Sequence, residues 1–238
     1  MQSSQIVTKQ GSFFGRRCGK SLSQLQKKLF DILLPQRKIK LASLSSTEQI
    51  YKLFINSTQL TELHLEIGFG GGEHLLHHAT QRPHTGFIGV EPFVNSMAKM
   101  LKAMQQNQKL YNNILLYDED ASKLLLALPS NSLSGIDLFY PDPWPKLRHH
   151  KRRFVNAENL KQMVRILQPG GHFRFASDID NYVEWTLLLA QQNGALEWQA
   201  NAKSDWQTPY SNWTSTRYEQ KALRAGRRPS YLTFRNIK

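Results

Sequence analysis

Glu66-Ile67-Gly68-Phe69-Gly70-Gly71-Gly72 is the stretch on which the fold turns. It follows a short apolar run, Leu63 to Ile67, and precedes a helical pattern, Glu73 to Ala79, so it reads as strand, glycine-rich turn, helix. Glycines at 68, 70 and 72 let the backbone pass where a Cβ would collide with a ligand. The N–H groups at the start of the following helix point at whatever sits there. About 20 residues on, a second apolar run, Gly86 to Val90, ends in Glu91. An acidic residue there suits ribose hydroxyls, because a carboxylate accepts two hydrogen bonds at once.

The glycine spacing is G-x-G-x-G, not the longer dinucleotide fingerprint G-x-G-x-x-G, which disfavours a nicotinamide dehydrogenase. Glu66 stands two positions before the first glycine. A carboxylate there is a poor neighbour for a pyrophosphate and a good one for a cationic ligand. S-adenosyl-L-methionine, with a positive sulfonium and ammonium, is therefore the cofactor expected. A glycine triplet alone would be an ordinary turn; two glutamates placed in this way are what favour the nucleoside.

From residue 61 the pattern alternates. Strands are predicted at 62–67, 86–90, 112–117, 135–140 and 171–176, and helices at 73–80, 93–107, 121–127, 156–167 and 179–192. Repeated β-α units predict an α/β fold, a doubly wound parallel sheet with helices on both faces. Its ligands sit at the carboxyl ends of the strands. Ahead of this domain, expected over 61–238, lie a flexible basic arm, 1–20, and a helical extension, 21–60. In the extension, Ser21 to Leu34 has helical spacing with Pro35 as its stop, and Ser46 to Ile55 reads as a second helix. Pro169-Gly170-Gly171 reads as a turn, and Tyr231 to Phe234 as a final strand.

Residues just past each strand are the site candidates. After the third strand comes Asp118-Glu119-Asp120; Asp120 directly precedes a helix, so it is a candidate for a helix cap and for the amino group of an adenine. After the fourth comes Tyr140-Pro141-Asp142-Pro143-Trp144-Pro145-Lys146, a loop that its prolines stiffen and that presents Asp142 and Trp144. Lys146, Arg148, Lys151, Arg152 and Arg153 follow, a candidate phosphate track. His149 and His150 lie among them without Cys or acidic partners at ligand spacing, so no metal is expected. Asp178, past the fifth strand, is a candidate for a substrate contact or a helix cap.

The chain of 238 residues carries a net charge of +13, unevenly spread. Residues 1–60 hold ten Lys/Arg against two acids, 146–165 seven against one, and 203–238 eight against two, whereas the remainder holds six against thirteen. Basic blocks around an acidic centre predict a polyanionic partner, most simply nucleic acid. The arm interleaves Phe13 and Phe14 with Arg16 and Arg17, which suits stacking and backbone contacts on RNA. One cysteine, Cys18, excludes an internal disulfide, and with no apolar run of the roughly 20 residues a membrane span needs, a cytoplasmic location is expected.

With these motifs in hand, the chain closely resembles the bacterial tRNA (guanine-N7)-methyltransferases that modify guanine 46 in the variable loop. The resemblance rests on Leu65-Glu66-Ile67-Gly68-Phe69-Gly70, Gly89-Val90-Glu91-Pro92-Phe93, Pro141-Asp142-Pro143-Trp144-Pro145-Lys146 with Lys151-Arg152-Arg153, and Thr216-Arg217-Tyr218-Glu219. It implies a Rossmann-like class I methyltransferase fold with a mostly parallel, seven-stranded sheet. It implies that Glu66, Glu91, Asp120 and Asp142, with Gly68, Gly70 and Gly72, form the S-adenosyl-L-methionine site, the product being S-adenosyl-L-homocysteine. Lys146, Asp178 and Thr216, Arg217, Tyr218 and Glu219 would contact tRNA, with Asp142 in the catalytic position; no membrane and no obligate protein partner is implied. The segment Lys221-Ala222-Leu223-Arg224-Ala225-Gly226-Arg227-Arg228 departs from the family's usual Arg-Gly and later Gly-His. Two other readings compete: a methyltransferase acting on another base position of RNA or DNA, and a non-catalytic RNA-binding protein on this scaffold. The proline before Asp142 and the tryptophan after Pro143 disfavour an exocyclic-amine enzyme.

Overall fold

Leu63, Leu65 and Ile67 alternate with His64 and Glu66, so strand β1 (Glu62–Ile67) turns an apolar edge to one side of the sheet and a polar one to the other. The computed structural model describes residues 14–238; the start of the expected arm, 1–13, lies outside the described residues. β2 (Thr85–Val90), β3 (Ile114–Tyr117), β4 (Leu133–Phe139), β5 (Leu167–Ser177), β6 (Leu196–Trp198) and β7 (Ser230–Asn236) complete a seven-stranded sheet in the order β3-β2-β1-β4-β5-β7-β6. The first five strands pair parallel and β7 runs antiparallel to both β5 and β6. The helices are α1 (Gln24–Ile32), α2 (Leu34–Arg37), α3 (Thr47–Lys52), α4 (Glu73–Gln81), α5 (Val94–Gln106), α6 (Ala121–Ala127), α7 (Ala157–Ile166), α8 (Asp180–Asn193), α9 (Ser204–Gln207) and α10 (Arg217–Arg224). None is long and apolar enough to cross a membrane, among the described residues.

The alternation sorts the core into two layers. Leu63, Leu65, Ile88, Val90, Ile136 and Phe173 join α6, α7 and α8 side chains such as Leu124, Leu160 and Val183 on one face. Phe87, Ile114 and Leu116 join Leu29 of α1, Leu75 of α4 and Met97 and Leu101 of α5 on the other. A leucine buried as fully as Leu63 or Leu65 contributes roughly 1.5–3 kcal/mol. The extension belongs to these layers, since Ile39, Ile50 and Phe54 are buried in the first and Leu33 and Leu34 in the second.

Some elements differ from expectation. Pro35 does not stop the helical stretch; it sits in the first turn of α2, where a missing N–H costs nothing. Pro169-Gly170-Gly171 is not a separate turn but lies within β5, where Gly170 takes φ +77° and the register to β4 shifts between Leu133 and Gly135. That irregularity lets a proline and a left-handed residue enter a strand. The short β6 and α10 were not foreseen.

The strand order reverses between β1 and β4: the chain winds outward through β2 and β3, then returns to lay β4 on the opposite side of β1. Loops leaving neighbouring strands part there, which opens a crevice at the carboxyl edge of the sheet.

Candidate active site

A cleft of about 540 Å³ fills that crevice, a size suited to a nucleoside with a reacting partner. It is lined by the strand ends and the residues next to them: Ile67 and Gly68 at the end of β1, Val90 and Glu91 at the end of β2, Leu138, Phe139 and Tyr140 at the end of β4. Gly68 has φ +73° and nothing within 4 Å of where a Cβ would stand, so its peptide faces open space. Gly70 donates its N–H to Glu91 Oε2 (2.8 Å), and Phe93 donates its own to Oε1 (2.9 Å). Those two bonds fix the Glu91 carboxylate at the cleft wall. Burial pushes the Glu91 carboxyl up to about 7 against the pull of these N–H groups, and the charges of Asp142 and Glu66 add to it. A buried anion so raised gains most from a ligand that brings donors or positive charge.

Asp120 is the helix cap that its position suggests, and it stands at the cleft. Its Oδ1 caps α6 by accepting from the Ser122 N–H (2.9 Å), and the residue also borders the cleft, with Ala121 and Ser122 beside it. Asp142 also lines the cleft, with Tyr140, Pro141 and Trp144 of its loop. Desolvation raises its carboxyl as well. Tyr140 and Trp144 hold φ of +49° and +43°, conformations that cost a non-glycine residue energy and persist only where the surroundings impose them. Arg153 supplies that restraint. Its guanidinium is buried, donates from Nε to the Pro143 carbonyl (2.9 Å) and from Nη2 to Asn181 Oδ1 (2.7 Å), and lies over the Tyr182 ring. The basic run therefore splits by burial: all of Lys151, Arg152 and Arg153 border the cleft, but Arg153 is buried and bolts the loop rather than joining a phosphate track, while Lys151 and Arg148 are exposed.

The remaining expected site residues are placed less directly. Glu66 does not border the cleft. It is 4 % exposed, and its Oε2 accepts from His74 Nδ1 of α4 (2.8 Å), because the polar edge of β1 faces the helix that follows it. His74 continues to the Tyr210 hydroxyl, so a buried chain runs from β1 to the loop before α10. Gly72 is the N-cap of α4 at φ +85°, where a Cβ would meet Met100 Sδ at 2.6 Å; it too is off the cleft wall. Lys146 is exposed at the start of the 3-10 turn Leu147–Arg152. Asp178 is paired with Arg227 Nε (2.5 Å), so the residues after α10 bear on it. Thr216 caps α10 by accepting from the Glu219 N–H (3.1 Å), and Arg217 opens that helix. Glu219 is 3 % exposed and accepts from Trp213 Nε1 (2.8 Å) and from the Tyr231 hydroxyl, so its carboxylate seats α10 rather than facing the cleft. Of the 216–219 segment only Tyr218 reaches the cleft, its ring 3.7 Å from the Cβ position of Gly70.

Several lining residues were not foreseen: Phe93, Ser96, Asn156 and Asn159, none of which has a charge or proline to mark it. Phe14, Gly15 and Arg16 line the cleft too. They are held because Val94 donates its N–H to the Arg17 carbonyl (2.9 Å), and Asn95 accepts from the Gly19 N–H (2.6 Å) and donates to the Lys20 carbonyl (2.7 Å). The described part of the arm is thus held at the N-terminal end of α5, with Phe14, Gly15 and Arg16 at the cleft.

Two groups have the proximity of a metal-ligand set, His64 with Asp137 and His172, and Glu66 with His74 and Asp137. In each, a histidine nitrogen already bonds a carboxylate, and neither group borders the cleft. Burial alone would raise Asp137, but His64 at 2.9 Å and the charge of Arg174 hold it below the ordinary carboxylate range.

Residues 61–231 match the model of a family described as putative methyltransferases. The chain is 53% identical to a tRNA (guanine-N(7)-)-methyltransferase of Bartonella quintana (strain Toulouse), over 94% of each chain. It is also 53% identical to the protein of that name from Agrobacterium fabrum (strain C58 / ATCC 33970), again over 94% of each. Among solved structures it resembles an antibiotic-related methyltransferase (18% identity, TM-score 0.53, 80% of this chain and 94% of that one). It resembles the 16S rRNA methyltransferase KamB as well (16% identity, TM-score 0.54, 75% and 89%). At such identities the likeness is one of fold, a seven-stranded methyltransferase sheet.

Proposed function

Because the chain belongs to the bacterial tRNA (guanine-N7)-methyltransferase family, we propose that this methyltransferase acts on N7 of guanine 46 in the variable loop of tRNA, in the cytoplasm, with S-adenosyl-L-methionine as methyl donor. The observation that carries this is the meeting, in one cleft, of Gly68, Gly70, Glu91 and Asp120 with Asp142, Trp144 and Tyr218.

The residues fit the donor. Gly68 leaves room beside β1, Glu91 offers a fixed buried anion for ribose hydroxyls, and Asp120 keeps Oδ2 free of the capping bond for an adenine amino group. Glu66 acts from behind the loop, through His74 and through its charge on Glu91. When bound, the donor supplies an electrophilic methyl group on a sulfonium.

The acceptor needs little proton chemistry. Guanine N7 has a free lone pair and carries no proton, so no general base is required. The chain's task is to present N7 in line with the methyl group and to oppose the positive charge that moves onto the purine. We assign the second task to Asp142, because it lines the cleft and its charge reaches Glu91. N7 lies on an edge that the narrow A-form groove hides, so the base must be locally opened or turned out to enter the cleft. Lys146, Arg148 and Lys151 then take phosphates beside it. Arg217 and the residues after α10, with Asp178 paired to Arg227, extend that surface. Thr216 and Glu219 hold α10 so that Tyr218 stays at the cleft.

The test is incubation with unmodified tRNA transcript and methyl-labelled S-adenosyl-L-methionine, followed by borohydride and aniline, which break the strand at 7-methylguanosine. Cleavage at one variable-loop guanine is expected. Label without cleavage would move the target to another atom, and tRNA binding without label would leave a scaffold only.

A further inference from the structure

One side chain at the cleft mouth has no partner of its own kind. The Arg152 guanidinium lies 5.3 Å from the Phe14 ring centroid and 5.0 Å from that of Trp144, bridging an aromatic of the arm and the aromatic of the Pro-Asp-Pro-Trp loop. It makes no ion pair among the described residues, and its Nε–H is buried without a hydrogen-bond acceptor. Among the described residues, two rings therefore hold a planar cation by their faces, with one donor left unsatisfied. All three residues line the cleft that holds Asp142.

Trp144 is fixed for this. It precedes Pro145, which disfavours its left-handed φ of +43°, yet the Arg153 bond to Pro143 and an edge-on contact from His149 (5.9 Å between centroids) keep it there. A chain that stores strain to present an indole face, and then covers that face with an unpaired guanidinium, has built a slot for a flat positive group.

We propose that Phe14 and Trp144 form a cation-selective stacking slot for the target base, which Arg152 fills in the ligand-free protein and vacates for guanine. The inference rests on the proposed N7 methylation, and it assigns these two rings a part in the chemistry. As N7 spends its lone pair on the new N–C bond, the carbon–sulfur bonding pair returns to sulfur, and the unit of positive charge passes to the purine. The slot then holds a planar cation where it had held a neutral ring. Face-on attraction of the rings to that ring grows along the reaction, so the interaction is stronger in the transition state than in the ground state and raises kcat. Arg152, a like charge at the slot's edge, competes for the same place and opposes retention of the charged product.

The proposal can be checked without turnover. 7-Methylguanosine and guanosine are titrated into the full chain with S-adenosyl-L-homocysteine present, by calorimetry and tryptophan fluorescence. The methylated cation is expected to bind about tenfold more tightly. Trp144→Leu is expected to bring the two nucleosides to equal affinity while leaving S-adenosyl-L-homocysteine binding unchanged. Arg152→Gln should strengthen both and keep the preference. Should Trp144→Leu lose S-adenosyl-L-homocysteine as well, Phe14→Leu serves in its place, since that residue lies outside the sheet. In turnover with tRNA, Trp144→Leu should lower kcat while KM for tRNA stays near that of the parent. Equal affinities for the two nucleosides, no binding of either, or a preference that survives both ring variants would overturn the slot. If tRNA is methylated at N7 and the preference is absent, the slot alone fails; if no tRNA guanine is methylated, the functional reading fails first.

Discussion

The charge of Asp142 bears on Glu91 within the cleft that both residues line: burial, and after it that charge, lifts the Glu91 carboxyl from 4.5 to about 7. The folded protein thus holds this proton more tightly than the unfolded chain between about pH 4.5 and 7, and stability falls as pH rises through that window. The shift corresponds to on the order of 3 kcal/mol. The ligand-free protein should therefore melt lower at pH 8 than at pH 5.5 through this group, and Glu91→Gln should flatten that part of the profile. Cofactor binding has the opposite trend, because the ionised carboxylate is the one that receives donors and faces positive charge. Calorimetric titration should show affinity for S-adenosyl-L-methionine falling below pH 7; a flat affinity from pH 6 to 8 would remove Glu91 from the site.

Asp142→Asn keeps the shape of the loop and removes its charge. If that charge opposes the one developing on the purine, kcat falls by roughly 10²-fold or more with little change in KM for tRNA. A near-normal single-turnover rate would assign Asp142 to loop structure alone.

The two roles of Asp120 can be separated. Asp120→Ala removes the cap on α6, costing about 1 kcal/mol, and the cleft carboxylate as well. Asp120→Ser restores the cap without the second oxygen. Melting temperature should recover in the serine variant while cofactor affinity remains reduced; recovery of both would leave Asp120 a cap only.

Glu219→Gln replaces one of the two oxygens that accept from Trp213 and Tyr231 by an NH2 donor in a buried place. A loss of about 1–3 kcal/mol is expected, read as a lower denaturant midpoint. Because α10 carries Tyr218 and Arg217, KM for tRNA should rise while cofactor affinity holds. A rise in both would mean that α10 supports the cofactor wall too.

Arg148→Ala and Lys151→Ala should each lower the salt dependence of tRNA binding by about one unit in the slope of log K against log [salt]. Arg153→Ala should behave otherwise, lowering stability by releasing Pro143. An Arg153→Ala protein of normal stability with a reduced salt slope would return that residue to the phosphate track.

Strands β1 to β5 were legible because buried parallel strands are apolar runs bounded by polar loops, and the residues just past them, Glu91, Asp120 and Asp142, proved to line the cleft. α10 was not legible. Its inward positions are Glu219 and Ala222, so no apolar stripe marks it. Glu66 was read as facing a ligand because its charge stands beside the glycines. Its true neighbour, His74, lies in the first turn of the next helix, and a strand-to-helix contact of that kind leaves no periodic trace. Within Lys151-Arg152-Arg153, three cations in a row look alike in sequence. The turn geometry sends the last inward to Asn181 and leaves the middle one between rings.

The insertion of β7 between β5 and β6 also sets an order of events during synthesis. β1 to β4, with the glycine loop and the Pro-Asp-Pro-Trp loop, can pair as they leave the ribosome. β6 has no neighbour until β7 emerges, and until then the eleven residues of β5 present a bare hydrogen-bonding edge. The same late strand brings Tyr231 to Glu219 and so seats the helix that carries Tyr218. A nascent chain thus gains Glu91, Asp120 and Asp142 early and a seated Tyr218 last, and a chain stalled between the two is the species most exposed to edge-to-edge association.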